Sequence, residues 1–301
     1  MKITSIISFL CIFVVCTAYS QKEIDQTNPV WEKSNFSFVP RSFQKDPKVD
    51  VVILTEFTQA GKKLKKVTPD EPVYYIAGDS GMKEEGEVIA GEIPPKGDAL
   101  KKAMVQALRT NGYLPYTPKH KPSLVIFFRW GSFNLRHSID DPMGVNGADP
   151  SNPPTPDPLE ISELAQRAAL IGGTAFATQM LTALQHNTLE SFANKDEHTR
   201  WLVDECYTNR YYIIASAYDF ESALKQKKVL YWKTKISTNS VGLTMNDSIL
   251  ALTLNAGPYF GREMTSAARL NRPVIKEGRV EIGTPTVKND IDPFITPSKS
   301  K

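Results

Sequence analysis

Apolar residues recur along this chain at two spacings, and each spacing predicts an element. The β-branched run Val49-Asp50-Val51-Val52-Ile53-Leu54 predicts a first strand, and Val73 to Ala77 a second. Gly78 to Lys96 scatters Gly and Pro among charges, which predicts mainly loop. In the next stretch Leu100, Ala103, Met104, Ala107 and Leu108 share one face of a helix over 98–108. Gly97 or Asp98 can cap its start, and Asn111-Gly112 closes it with residues that accept a left-handed backbone. Ser123 to Trp130 is apolar on both faces for most of its length, which predicts a strand buried on both sides.

The segment 138–158 breaks these rhythms. It is rich in Pro, Gly and Asp, cannot pack a core, and reads as a mobile surface excursion. Asp157-Pro158 then supplies a cap and a first-turn proline for a long helical region reaching about His186. Its apolar side holds Leu164, Ala168, Ile171, Ala175 and Met180 or Leu181. Gly172-Gly173 in its middle costs about 2 kcal/mol relative to two alanines, so it marks a break or a close approach of another backbone. A further helix is expected over 197–206.

Tyr211 to Tyr218 and Lys228 to Ser237 are two more strands, antiparallel because the connection is short. In the second, Leu230, Trp232, Thr234 and Ile236 share one face, while Lys233 and Lys235 occupy a face expected to be wet. Asn246 to Leu254 fits a helix, and Gly278 to Ile282 a short strand in a C-terminal tail. Together these elements predict an α+β domain over 47–260, with a mostly antiparallel sheet of about five strands and helices packed chiefly on one face. An extended arm over 21–46 precedes it and an extension over 261–301 follows.

The first residues change the picture. Met1-Lys2 is followed by an apolar run from Ile3 to Val15, too short to span a bilayer, and then by Ala18-Tyr19-Ser20. This reads as a signal peptide over 1–20, cleaved near Ser20 for export to the periplasm or outer envelope, with no transmembrane segment in the mature chain. Lipidation at Cys16 is the alternative. Of the three cysteines, Cys206 alone would remain in the mature chain, so no internal disulfide can form and stability must come from the core. Hydrophobic residues make up 41% of the 301, enough for such a core. The net charge of +3, with both signs interspersed, gives no footprint for nucleic acid.

Candidate chemistry is sparse. Within Val73 to Met82 an apolar run feeds into Gly78-Asp79-Ser80, which resembles the start of the nucleophile block of a large esterase and lipase family. A nucleophilic serine needs a base, and that family supplies one from a late Asp-x-x-His together with a Gly-x-Asn-Asp oxyanion block. Neither is present, and no histidine follows His198. The histidines 120, 137, 186 and 198 are scattered, so no metal site is expected, and no cofactor motif is found. The Asp-rich loop 140–149 lacks the spacing of a calcium loop. The aromatic runs at 74–75, 127–128, 211–212 and 231–232 lie on predicted strands, where aromatics are favoured in any case. The residues singled out for ligand binding are Arg129 and Trp130 at the end of one strand, and Arg210 and Asp219 at the two ends of its expected neighbour.

One resemblance joins these pieces. The amphipathic helix from Ala99, then Asn111-Gly112-Tyr113, then Pro122-Ser-Leu-Val-Ile126, and the pair of strands carrying Tyr218-Asp219-Phe220 and Leu230-Tyr-Trp-Lys233 resemble a group of uncharacterised exported bacterial envelope proteins. More distantly they are similar to small lipoprotein-type domains of unknown function. The resemblance implies an α+β envelope domain and no known enzyme activity. The expected function is a non-catalytic exported binding or assembly component whose partner is an envelope protein or a small ligand. A serine hydrolase using Ser80 is the alternative, and a structural partner that docks through 138–158 is a third reading.

Overall fold

The computed structural model describes residues 48–89, 92–136 and 157–273. The signal segment with Cys16, the 21–46 arm, all of the 138–158 insertion but its last two residues, His137 and the 278–282 strand lie outside them.

The elements follow in chain order: β1 (Lys48–Phe57), α1 (Gln59–Lys62), β2 (Val73–Gly86), α2 (Gly97–Arg109), β3 (Tyr113–Pro115), β4 (Leu124–Asn134), α3 (Pro158–Ile171), α4 (Gly173–Gln185), α5 (Leu189–Ala193), α6 (Glu197–Cys206), β5 (Arg210–Asp219), α7 (Phe220–Leu224), β6 (Leu230–Asn239), α8 (Met245–Asn255) and β7 (Ala268–Pro273). The class is α+β, but the expected sheet is overturned. Seven strands, in the order β3-β2-β4-β5-β6-β1-β7, form one mixed sheet curled into a half-barrel.

From β4 to β7 every neighbour is antiparallel, whereas β2 runs parallel to both β3 and β4. The parallel pairs arise because α2 carries the chain back across the sheet between β2 and the two strands after it. Two strands escaped the sequence pattern. β3 has only three residues. β7 has only Ala268 and Leu270 as apolar positions, and it brings part of the expected C-terminal extension into the sheet. β2 is also longer than its apolar run. It continues through the polar stretch to Gly86, with a bulge between Asp79 and Met82. β3 pairs only with Val73 to Tyr75, so the rest of β2 is an edge strand, where polar side chains are tolerated.

Helices cover both faces of the sheet, not chiefly one. Side chains alternate along β1: Val51 and Ile53 join a core with Leu100, Met104 and Leu108 of α2 and Ile249 and Leu252 of α8. Val52 and Leu54 join a second core with Leu164, Ile171, Met180, Leu202 and Cys206 of α3, α4 and α6. The expected start of α3 is present. Asp157 accepts from Leu159 N–H at 2.8 Å and Glu160 reaches back to Asp157 N–H at 3.1 Å. The glycine pair is a break, and what comes close to it is side chains, not another backbone. Gly172 separates α3 from α4, and Gly173 has φ +86°, with space for a Cβ only 2.6 Å from Leu54 Cδ2. The break shifts the helical phase, so Phe176 is buried and Ala175 is exposed.

Candidate functional site

The four residues singled out in the sequence are not gathered. Arg210 and Asp219 bound the ten residues of β5, about 30 Å apart at strand rise. Arg129 and Trp130 are successive residues of β4 and point to opposite faces. Trp130 lies in the α2/α8 core, 7% exposed, with its indole N–H unpartnered.

Arg210 is fully buried and works as a clamp. Its Nε donates to Ser237 Oγ at 3.0 Å, and its Nη1 donates to Thr208 Oγ1 at 3.0 Å and to the Glu205 carboxylate. Arg167, from α3, sits beside it, also fully buried. It donates to the carbonyls of Cys206 (2.6 Å), Phe133 (2.9 Å) and Thr208. Together the two arginines supply donors to the end of α6, whose last carbonyls have no intrahelical partner. Cys206 lies in this layer, and burial pushes its thiol up to about 12, an inert group. Asp219 caps α7: it accepts from Ser222 N–H at 2.6 Å and from Tyr231 Oη at 2.7 Å. The Ser222 hydrogen bond holds its carboxyl below the usual range against burial, and Tyr231 assists.

Ser80 lies at the β2 bulge, exposed, next to Gly81, whose N–H donates to Asp79 Oδ1 at 2.8 Å. No described imidazole is hydrogen-bonded to it. His120 stacks on Tyr74 with ring centroids 4.4 Å apart, and His198 Nε2 lies 3.0 Å from the Ala267 carbonyl. Among the described residues no group of three or more His, Cys, Asp or Glu is placed to hold a metal ion.

A different constellation emerges from the register. On the face that carries α3 to α6, Phe127, Ser216, Lys233 and Glu56 lie side by side on β4, β5, β6 and β1. The next row is Arg129, Ile214, Lys235 and Leu54. The α3–α4 junction covers the β1 end of both rows. There Lys235, 6% exposed and not on a wet face as expected, donates to Glu56 Oε2 and to the Ala169 carbonyl, each at 2.6 Å. Glu56 Oε1 also accepts from Thr174 N–H at 2.8 Å. Burial pushes the Glu56 carboxyl up, but Lys235 and Thr174 outweigh it and hold the group below its ordinary value.

Toward β4 the cover ends. Phe127 is 41% exposed, lies over Gly78, and meets Tyr218 edge-on at 5.9 Å. Gly78 lets the ring lie this close, since a Cβ there would come to 2.5 Å from it and the ring would have to move. Arg129 has Glu85 at 3.8 Å, but that carboxylate also has Lys83 at 3.2 Å and the Tyr212 hydroxyl at 3.4 Å. Ser216 is 8% exposed and its hydroxyl makes no hydrogen bond among the described residues. Among the described residues, half-buried Lys233 has neither a hydrogen bond nor a carboxylate within ion-pair distance. Burial, then the charge of Lys235, hold its amine below the ordinary lysine range; Arg129 adds to this and Glu56 opposes it. Arg129 is thus one of the four expected residues and belongs to this strip. Lys233 was placed by its alternation but not singled out, because its lack of a partner depends on where α3 ends over the sheet.

No protein-family model matches the chain, and no curated protein is similar to it. Among the described residues no helix is long and apolar enough to cross a membrane.

Proposed function

We propose that this chain is a non-catalytic exported protein, cleaved near Ser20, that works in the periplasm or at the outer envelope as a binding component. Its binding surface is the uncovered strip of the sheet around Phe127, Arg129, Ser216 and Lys233. One observation carries the reading: Ser216 and Lys233 sit side by side with no partner among the described residues, next to an aromatic ring left in the open. Neither Ser216 Oγ nor Lys233 Nζ is sealed from water, so an incoming group can replace water at two donors that no described acceptor occupies. The N-terminal segment supports the exported location, with Gln21 as the first residue of the mature chain.

Thermal-shift screening of a diverse compound set against the wild-type protein and a Phe127→Ala/Arg129→Ala double variant tests the surface. Ligands that raise the melting temperature of the former and not the latter are expected, and no such ligand in a broad set would count against the reading. Mass spectrometry of the exported protein should find Gln21 at its N-terminus; a diacylated Cys16 would replace the free form by an anchored one. Covalent labelling of Ser80 by a fluorophosphonate would overturn the non-catalytic part.

A further inference from the structure

We infer that Arg129, Ser216 and Lys233 form an anion site, which takes a phosphate or carboxylate group carried on an apolar body that lies against Phe127. The inference rests on the binding reading above and names its ligand class.

The donors are distributed for one group. Ser216 and Lys233 are directly opposite each other on β5 and β6, with Cβ atoms about 5 Å apart in such a pair. Arg129 stands on β4, one strand beyond Ser216 and one row along. Two strand spacings across and one row along, about 12 Å in all, separate the backbones of Arg129 and Lys233, which two long side chains can close around a small anion. Ser216 is more than nine-tenths buried and brings a hydroxyl donor between the two cations.

The acids nearby are already engaged. Glu56 is held by Lys235 and by the first turn of α4, and Glu85 by Lys83 and Tyr212. What remains is positive charge and hydrogen-bond donors in a partly dehydrated place, where charge-assisted hydrogen bonds are strongest. Phe127, flanked by Tyr218 and lying over Gly78, supplies an apolar platform at the open end. A ligand reaching both must carry its anion at one end and apolar atoms at the other.

Charge sets the pH dependence. The groups facing Lys233 are Lys235 and Glu56 from the β6–β1 side and Arg129 from β4. An anion binds the protonated amine, so affinity should fall as pH rises through the depressed Lys233 value. The same depression means that the folded protein bears a cost for the charged amine at neutral pH, and an apolar replacement removes it.

Isothermal titration of the purified protein with hexyl phosphate, hexanoate, inorganic phosphate and hexanol decides the matter. Hexyl phosphate or hexanoate should bind more tightly than inorganic phosphate, and hexanol should not bind measurably. Lys233→Met should weaken the anion by about tenfold or more while melting at or above the wild-type temperature, and Lys233→Arg should recover part of the affinity. Because the Met variant is expected to be no less stable, misfolding cannot mimic the loss. Co-sedimentation with phosphatidylglycerol vesicles but not phosphatidylcholine vesicles, abolished by Lys233→Met, would assign the anion to a lipid headgroup; binding of hexyl phosphate without vesicle binding would assign it to a soluble ligand. Anion binding untouched by Lys233→Met and Arg129→Met, or absent from both free and vesicle forms, overturns the inference. A neutral ligand whose thermal shift depends on Phe127 would then leave the binding reading standing without this ligand class.

Discussion

Arg210 and Arg129 looked alike in the sequence, each a cation at a strand terminus, yet the fold gives them opposite tasks. Arg210, with Arg167, is buried among carbonyls, a hydroxyl and the Glu205 carboxylate, and only one of its donors, Nη2, lacks a partner. Arg129 is two-fifths exposed and has one distant, shared carboxylate. Its neighbour Lys233 has none among the described residues. A buried cation surrounded by fixed acceptors holds elements together, and removing it strands those acceptors. A half-buried cation without acceptors contributes nothing to cohesion and is available to a partner.

The sharpest way to break this contrast is Arg167→Ala. It leaves the carbonyls of Phe133, Cys206 and Thr208 without their donors and should destabilise the fold by about 4 kcal/mol in denaturant unfolding. Gly173→Ala comes next. A left-handed backbone and a Cβ driven against Leu54 and Glu56 should cost about 2 kcal/mol, read as a lower melting temperature. Glu56→Gln tests the boundary between the two regions, since it weakens the carboxylate contact of buried Lys235, at about 1 kcal/mol near neutral pH. The Glu56 carboxyl is held below its ordinary 4.5, so its stabilisation is present above that value and is lost as pH falls through the lowered one. The variant should therefore show a flatter acid limb in a pH series of melting temperatures.

Lys233→Met should go the other way and raise stability slightly at neutral pH. The amine is depressed in the folded state, so the charged form is penalised below that value. The gain from the variant should shrink as pH rises through it. Smallest is Phe127→Ala, which should change stability by less than about 0.5 kcal/mol, because the ring is already in the open, while removing the apolar part of ligand affinity.

Much of the architecture was legible because it rests on local periodicity. The α2 face of Leu100, Met104 and Leu108, the Asp157 cap, the break at Gly172-Gly173 and the antiparallel β5–β6 pair all follow from spacing and capping chemistry. What was not legible involves partners far along the chain. The polar half of β2 reads as loop because an edge strand needs no apolar code; only its ladder with β4 makes it a strand. Ala175 was expected inside and is outside, since a helix break resets the phase that a continuous pattern assumes.

The amino-acid sequence by itself determined the α+β class, most helices and the central strands. Each of these depends on residue type and on neighbours a few positions away. Tertiary structure alone decided the mixed direction of the sheet, its cover on both faces, and which of several similar cations would be locked and which left open. Lys235 and Lys233 are two residues apart on the same face of one strand, and they differ only because the α3–α4 junction reaches over the first and stops short of the second. Burial and pairing are properties of what arrives from elsewhere in the chain, and no local pattern records them.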